Sequence, residues 1–372
     1  MAYDTVIVRY GEIFLKSEYV RRSFEDILVG NIRRRLANAS LDGSIYRRRH
    51  RIYINTDRAQ DVCESLKTVC GIVSLSPAVK VRAGLGEITE CAVSLAKKVL
   101  GEGVRFAVRA QRSGKHSFSS KDVEVAVGAR ILEEVDAVVD LEDPEKTVYV
   151  EVRDDEAFVF DIRVDAVGGL PYGSQGRLIA LLSTGIDSPV AAWMMMRRGC
   201  TLSFLHYGCY EEIEPVVKRL EYFADEKLKV CCVPYDPILE KISGHAGKYT
   251  CVVCKRFMHR AAEMLAGLEE ASGIVSGENI GQVASQTLEN LLLIDCLRMP
   301  VYRPLVAMDK EGIIDAARKI GTYELAKKGV KCRFVPEKPS TRAGEDVILE
   351  IEKEIGIERL LEDVRSCFVF GK

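Results

Sequence analysis

Short apolar runs alternate with amphipathic stretches along the second half of the chain. The run Leu178–Leu182 fits a strand buried on both faces, and Ala191–Met196 fits a buried helix that Gly199 can end. The same alternation predicts further strands at Thr201–Tyr207, Leu228–Pro234, Gly273–Val275 and Val301–Leu305, and helices at Ile213–Ala224, Lys255–Leu265, Ser285–Cys296 and Lys310–Ile320. Strands and helices in this order predict a parallel α/β sheet, with ligands bound at the carboxyl ends of its strands.

The first half of the chain has a mixed α/β pattern in two parts. Strands are predicted at Thr5–Tyr10 and Ile45–Asn55, with a helix at Val20–Leu36 between them. The second part is predicted to contain helices Asp61–Val69, Ile88–Leu100 and Asp122–Val135, and strands Val104–Ala110, Thr147–Val152 and Ala157–Val164. Val167–Gly173 holds three glycines and a proline, which marks a linker. We therefore predict three domains, at residues 1–59, 60–166 and 174–372.

The composition describes an ordinary globular protein with enough residues for a sizeable core. The chain has 372 residues, of which 47% are apolar, and a formal net charge of −2. It contains no apolar run of about 18 residues and no signal-peptide pattern, so we expect a cytoplasmic protein without a membrane partner. Twelve cysteines in a chain of this length are expected to be buried thiols, metal ligands or catalysts, and not a disulfide scaffold.

A loop of small and hydroxyl side chains, Ser183–Ser188, separates the Leu178–Leu182 strand from its helix. Unpaired amides and the positive end of the helix dipole make such a junction an anion site. Gly185 permits close approach of a phosphate, and the two serines add hydroxyl donors. Asp187 suits a Mg²⁺ ligand or a loop-orienting group, and equally a helix cap. The alternative for the whole loop is a β–turn–α corner with a capping Ser or Asp.

This loop resembles the S-G-G-x-D-S signature of the PP-loop ATP pyrophosphatases, and it matches neither the Walker A nor the G-x-G-x-x-G pattern. Enzymes with the signature bind ATP and release pyrophosphate while they adenylate an oxygen. Thr184 stands where the signature has a glycine. A positive φ at that position would strain a β-branched residue.

A basic segment rich in serine and glycine joins a strand and a helix in the second part of the chain. Its cations are Arg109, Arg112, Lys115 and Lys121, with no acid before Asp122. Interleaved with Phe118, these charges suit contacts with an RNA backbone. Ser119 or Ser120 is alternatively just the N-cap of the next helix, although a capped helix start is also a phosphate site.

Cys251 and Cys254 form a C-x-x-C motif directly before the predicted helix at Lys255. The motif alone is compatible with a redox pair, half of a zinc site, part of an iron–sulfur site or two buried thiols. Its position favours a thiolate, because the helix dipole stabilises negative charge there.

Taken together, several longer stretches resemble the ThiI family of tRNA uridine 4-sulfurtransferases (4-thiouridine synthetases). GEIFLKSEYVRRSFEDILVGNIRRRL resembles its ferredoxin-like domain, and SGKHSFSSKDVEVAVG its tRNA-binding THUMP domain. LLSTGIDSPVAAW, GENIGQVASQTLENL and PVYRPLVAMDKEGIIDAARKIGTYE resemble its PP-loop domain. The resemblance implies an α/β protein: N-terminal ferredoxin-like α+β and THUMP domains, then a parallel-sheet PP-loop ATP pyrophosphatase domain of the adenine nucleotide alpha hydrolase-like class. The rhodanese domain of some bacterial members is not expected.

The resemblance implies ATP-dependent transfer of sulfur to C4 of uridine 8 in tRNA. ATP with Mg²⁺ adenylates the carbonyl oxygen, sulfur from sulfide or from a persulfide carrier such as a cysteine desulfurase attacks, and AMP leaves. The implied ATP contacts are Leu181, Leu182, Ser183, Gly185, Asp187, Ser188, His206, Tyr207, Lys255, Gly277 and Gln286. The catalytic cysteine of the family falls on Cys332. The family also takes part in making the thiazole of thiamine, and a homodimer is compatible with the sequence.

Two sulfur mechanisms fit Cys251, Cys254 and Cys332. In one, Cys332 is a nucleophile or persulfide carrier that resolves through a disulfide with another cysteine. In the other, which archaeal-type relatives resemble and which we favour, the three thiols hold a [4Fe–4S] cluster whose fourth iron holds the sulfur. A structural zinc site is less favoured because no fourth ligand stands out.

Two other functions remain compatible with the sequence. One is a different PP-loop adenylating enzyme that acts on another RNA base or on an amide. The other is a non-catalytic RNA-binding protein whose loop no longer binds a nucleotide. Thr184, at a position where the signature has glycine, leaves this alternative compatible with the sequence.

Overall fold

The computed structural model describes residues 2–48, 50–327 and 332–368. The chain separates into two compact units, Met1–Pro171 and Tyr172–Lys372, and the division falls within the predicted linker. Each unit is built around its own β-sheet. All twelve cysteines are free thiols. No helix of the described ranges is both long and apolar enough to cross a membrane.

The first unit has a nine-stranded mixed sheet and four helices within its described residues. The strands are β1 (Thr5–Tyr10), β2 (Ser44–Arg48), β3 (Arg51–Asn55), β4 (Ile72–Arg82), β5 (Val104–Ser113), β6 (Ala137–Val139), β7 (Lys146–Arg153), β8 (Glu156–Phe160) and β9 (Val164–Asp165). The helices are α1 (Glu18–Asn38), α2 (Ala59–Leu66), α3 (Leu85–Val99) and α4 (Ser120–Glu134). The strand order is β2-β3-β1-β4-β8-β7-β5-β6, and β9 pairs with β4.

Strand β4 joins the two halves of this sheet. It pairs antiparallel with β1, where Val6 lies opposite Pro77, and with β8, where Val79 lies opposite Val159. One apolar core contains α1 and α2, and a second contains α3 and α4. Helix α2 therefore packs in the first core, whereas the sequence analysis placed it in the second predicted domain.

The second unit confirms the predicted parallel sheet. Its strands are β10 (Arg177–Leu181), β11 (Thr201–Tyr207), β12 (Lys229–Val233), β13 (Ile274–Val275) and β14 (Val301–Tyr302). Its helices are α5 (Asp187–Arg197), α6 (Glu214–Ala224), α7 (Asp236–Ala246), α8 (Thr250–Leu268), α9 (Leu288–Ile294), α10 (Lys310–Ile320), α11 (Glu345–Ile355) and α12 (Ile357–Ser366).

The order of this sheet, β12-β11-β10-β13-β14, places its reversal at β10. Chain direction runs from β10 outward through β11 to β12, and then crosses to β13 and β14 on the other side. Open parallel sheets bind ligands outside the carboxyl ends of strands at such a reversal. Helix α8 supports the sheet there, because Phe257 and Leu265 are fully buried in one core with Ile179 and Leu205.

Candidate active site

The Ser183–Ser188 loop follows β10 at the point where the strand order reverses. Its two serines bind each other: the Ser183 amide donates to Ser188 Oγ at 2.8 Å, and the two hydroxyl oxygens lie 3.0 Å apart. The Gly185 amide donates to Ser183 Oγ at 3.3 Å. The two hydroxyls therefore hold the loop in shape through bonds to each other and to the loop amides.

The backbone of the loop contains no strained residue. Neither Thr184 nor Gly185 has a positive φ. Threonine in place of the signature glycine therefore does not have to adopt a left-handed backbone conformation, and it adds no strain of that kind. The amide of Lys327 donates to the Thr184 carbonyl at 2.9 Å and gives this residue a structural role.

Asp187 begins α5, but its side chain does not cap the helix. The N-cap residue is Ile186, and it provides no side-chain cap. The Asp187 carboxylate instead accepts from Lys310 Nζ at 2.6 Å and from Gln282 Nε2 at 2.9 Å. The capping alternative is wrong, and the carboxylate is tied to the first turn of α10.

Gly277 follows β13 and approaches the start of α5 closely. A Cβ atom on Gly277 would lie 2.9 Å from the Ser188 amide nitrogen and 3.0 Å from the Asp187 carbonyl carbon. A side chain there would collide with backbone. The close approach that the glycine permits in this structure is therefore between two backbone segments.

A pocket of about 560 Å³, including the solvent at its mouth, opens above the loop. Nine of the eleven predicted ATP contacts line it: Leu181, Leu182, Ser183, Asp187, Ser188, Tyr207, Lys255, Gly277 and Gln286. Gly185 is in the loop but outside this lining, and His206 lines a neighbouring pocket instead. His206 is buried, and its Nδ1 lies 2.9 Å from the Leu182 carbonyl oxygen, which is the contact of a structural histidine.

Lys255 lies on the pocket wall beside a buried group of charges. Glu278 Oε1 is 3.7 Å from Lys255 Nζ, and Glu278 Oε2 accepts from Arg303 Nε at 2.9 Å. Burial acts to raise the pKa of Glu278, but the positive groups around it, Lys255 first, outweigh burial and lower the pKa to about 2. Burial lowers the pKa of His259, which lies 3.6 Å from Glu278, to about 4. Glu278 therefore remains ionised against the pocket, and His259 is neutral beneath it.

A second pocket adjoins the first and contains thiols. Cys254 and Cys332 both line it, together with a further exposed thiol, Cys209. Leu182, Ser183, Tyr207 and Met258 line both pockets, so they form a shared wall. The structure thus brings Cys332 to the C-x-x-C motif although about 80 residues separate them in sequence.

Cys251 and Cys254 lie inside the first turn of α8, which begins at Thr250 and not at Lys255 as predicted. Burial raises the pKa of Cys251 and raises the pKa of Cys254 to about 11. The expected stabilisation of thiolates by the helix dipole is therefore outweighed by burial in the free protein.

The thiols of Cys251, Cys254 and Cys332 are not arranged as a metal site in this structure. Among the residues that the structure describes, no group of three or more His, Cys, Asp or Glu side chains is arranged to hold a metal ion. Two of the three thiols nevertheless share a pocket, and thiolates are the ligands of iron–sulfur clusters. The donor chemistry fits a cluster, and its geometry would require the thiols to move together.

The four predicted RNA contacts are all exposed on the first unit. They are Arg109, Arg112, Lys115 and Lys121. Strand β5 extends to Ser113, so the two arginines project from a strand and only Lys115 lies in the loop. Ser119 caps α4 in a reciprocal capping box with Asp122, which confirms the predicted cap. The acid of this box adds negative charge at the helix start, next to Lys121 in sequence.

The site residues predicted from the sequence did not include Lys310, Gln282, Glu278 or Tyr235. Lys310 carries one usable signal, since a lysine in the first turn of a helix opposes the dipole and suggests a fixed partner. Tyr235 lines the second pocket, and its hydroxyl lies 3.1 Å from Cys254 Sγ. Gln282 and Glu278 lie close together in the GENIGQ stretch, and the sequence of this stretch does not predict a buried network of charges.

Comparisons with known proteins agree along the whole chain. The family model described as thiamine biosynthesis protein (ThiI) matches residues 173–357, the ThiI ferredoxin-like domain matches residues 5–76, and the THUMP domain matches residues 82–160. A probable tRNA sulfurtransferase of Methanocaldococcus jannaschii is 40% identical over 94% of this chain and 97% of its own length. One of Thermococcus kodakarensis is 40% identical over 91% of this chain and 94% of its own length.

Two solved structures share the fold. A crystal structure of a 4-thiouridine synthetase–RNA complex with bound ATP superimposes with a TM-score of 0.89, at 31% identity and over 99% of both chains. A Pyrococcus horikoshii protein superimposes with a TM-score of 0.69, at 27% identity, over 86% of this chain and 99% of its own. The ferredoxin-like, THUMP and PP-loop domains occur in the same order, and with full-length relatives at 40% identity this chain belongs to the ThiI family.

Proposed function

We propose that this protein is an ATP-dependent tRNA sulfurtransferase that converts uridine 8 of tRNA to 4-thiouridine. The observation that carries the proposal is the wall shared by the nucleotide pocket and the thiol pocket, formed by Leu182, Ser183, Tyr207 and Met258. A reaction that couples adenylation to sulfur transfer needs its nucleotide and its sulfur within reach of one atom. The names of the relatives, and the ATP and RNA bound by the similar crystal structure, support the same activity.

The first step is adenylation of the uridine. O4 attacks the α-phosphorus of ATP, the bond from that phosphorus to the bridging oxygen breaks, and pyrophosphate leaves. The α5 N-terminus, the loop amides and Lys255 offset the negative charge that develops on the phosphates. Asp187 is the loop carboxylate that would hold Mg²⁺, which supplies further positive charge when bound.

The second step is the transfer of sulfur. A sulfur nucleophile attacks C4, and the C4–O bond breaks as AMP leaves with the oxygen. If Cys332 carries the sulfur as a persulfide, a second thiolate must attack Cys332 Sγ; this releases the transferred sulfur, and a thiol reductant then reopens the resulting disulfide. If Cys251, Cys254 and Cys332 hold a cluster, the cluster supplies the site where the sulfur binds. A protein persulfide is the source if Cys332 is the carrier, because it passes its outer sulfur to the Cys332 thiolate without a change of oxidation state; a cluster could also bind external sulfide.

Replacement of the C-x-x-C motif separates these two mechanisms. A Cys251→Ala, Cys254→Ala double variant should lose iron and thiolation but retain tRNA adenylation if the three thiols hold a cluster. A Cys332→Ala variant should lose thiolation in both cases. Full thiolation by the double variant would refute the cluster and leave Cys332 as a persulfide carrier.

The function itself is tested with the purified full-length protein, tRNA, ATP, Mg²⁺ and sulfide under anaerobic conditions. We expect 4-thiouridine in digested tRNA, measured by mass spectrometry, and one pyrophosphate for each thiolated base. A tRNA with cytidine in place of uridine 8 is the matched control and should give neither product. Pyrophosphate release that is unchanged by this replacement would indicate that another base is adenylated. Binding of tRNA without release of pyrophosphate would indicate a non-catalytic protein.

A further inference from the structure

The hydroxyl of Tyr235 makes a direct contact with a sulfur of the thiol pocket. It lies 3.1 Å from Cys254 Sγ and donates to the Cys254 carbonyl at 3.4 Å. The thiol has one other sulfur contact, with Met258 Sδ at 4.0 Å.

The ring that carries this hydroxyl is held on two sides. Tyr235 packs against Tyr207 with a centroid distance of 4.6 Å, and it stacks against Phe257 at 6.1 Å. Phe257 belongs to α8 and is fully buried. A ring packed in this way presents its hydroxyl at one point, whereas the Cys254 side chain alone has three staggered rotamers.

We propose that Tyr235 is a positioning residue for Cys254. Its hydrogen bond selects one rotamer of Cys254 and holds the sulfur in the pocket that Cys332 also lines. Hydrogen bonds from neighbouring side chains fix the geometry of reactive or metal-ligating groups in the same way. A role of Cys254 Sγ in catalysis rests on the proposed function, but the positioning of Cys254 by Tyr235 does not.

Tyr207 offers a matched control within the same aromatic group. Its hydroxyl donates to the Met258 carbonyl at 2.8 Å, so it binds backbone and not sulfur. Tyr207→Phe and Tyr235→Phe each remove one hydroxyl and retain the ring and its packing. Only Tyr235→Phe removes a partner of Cys254.

The test measures the geometry of the thiols in the reduced, metal-free protein without ATP or tRNA. Dibromobimane is added, and the pairs of cysteines that it bridges are quantified by peptide mass spectrometry. We expect Tyr235→Phe to slow the Cys254–Cys332 bridge by on the order of fivefold, the net worth of one hydrogen bond. The Cys251–Cys332 bridge in the same sample, and both bridges in Tyr207→Phe, should form at wild-type rates.

Two results would overturn the proposal. The first is a Cys254–Cys332 bridge that forms in Tyr235→Phe at the wild-type rate. The second is an equal loss of the Cys251–Cys332 bridge, which would show that the whole pocket has changed and not one rotamer. Because the assay contains no substrate, either result is independent of whether the protein makes 4-thiouridine.

Discussion

At the scale of single residues, the Asp187–Lys310 ion pair connects the nucleotide loop to α10. We expect Asp187→Ala to abolish tRNA-dependent AMP formation and to leave tRNA affinity nearly intact. Lys310→Met should be almost as damaging, because the two charges act as a unit, and the double variant should therefore be little worse than either single one. The measurement is kcat/KM for 4-thiouridine formation. Arg318→Met, on the same helix and paired with Asp315, is the control that should keep wild-type activity.

The buried histidine beneath the nucleotide pocket predicts a dependence of stability on pH. The folded pKa of His259, about 4, lies below the ordinary histidine value of 6.5, so between these values the unfolded chain binds a proton that the folded chain does not. Stability should therefore fall as the pH drops from 6.5 towards 4, with a slope approaching about 1.4 kcal/mol per pH unit. Glu278 extends the loss of stability to lower pH, because its folded pKa of about 2 also lies below the ordinary glutamate value of 4.5.

Urea unfolding of wild type, His259→Phe and His245→Phe between about pH 7 and pH 5 measures this slope. His259→Phe should flatten it. The control residue His245 is exposed on α7, and its replacement should leave the slope unchanged. Parallel slopes in all three proteins would show that His259 is not the group responsible.

Sequence reasoning found most of the residues around the nucleotide pocket, but it missed the charges that lie behind them. A short sequence signature suffices to find Ser183, Asp187 and Ser188, because these residues are close together in the chain. Lys310 reaches Asp187 across 123 positions, and such a pairing depends on the packing of α10 beside α5. Glu278 is missed for a similar reason, because its burial depends on Arg303 and Lys255 from two other elements.

At the scale of elements, the contact of Gly277 with the start of α5 sets the position of the loop. Gly277→Ala should destabilise the protein by about 1–3 kcal/mol, the usual cost of overpacking, and should also weaken ATP binding. Gly185→Ala should lose ATP binding with little loss of stability, because the nearest atom to its new Cβ is Ser183 Oγ at 3.4 Å. Gly267→Ala, with open space around it in α8, is the control for both effects. Thermal melts and ATP titrations measure them, and equal melting temperatures for Gly277→Ala and Gly267→Ala would contradict the packing argument.

Two of the elements that were not predicted from the sequence contain a proline. Strand β4 is the longest in the protein, but Pro77 lies inside it, and a proline cannot donate to a sheet ladder. Helix α7 opens on Asp236-Pro237, a pair that also favours turns, although proline fits the first turn of a helix equally well. The parallel sheet was predictable because its strands are mostly apolar and alternate with amphipathic helices.

At the scale of the whole molecule, the exposed cations of the first unit predict how tRNA affinity depends on salt. Each phosphate contact that is lost should reduce the slope of log K against log salt by about one. Arg109→Gln, Arg112→Gln, Lys115→Gln and Lys121→Gln should each show this reduction in titrations with the full chain. Arg105→Gln is the control on the same strand, since three carboxylates already pair with Arg105. A salt-independent affinity would exclude phosphate binding by this face.

Strand β4 has a consequence for how the N-terminal half of the protein folds. The ferredoxin-like and THUMP modules are recognisable as separate stretches of sequence, but one strand carries the hydrogen-bond ladders of both. The β1 ladder uses residues 72–78 of β4 and the β8 ladder uses residues 79–82, so displacement of the whole strand removes both ladders. The two modules are therefore expected to unfold cooperatively and to exchange their amide hydrogens together.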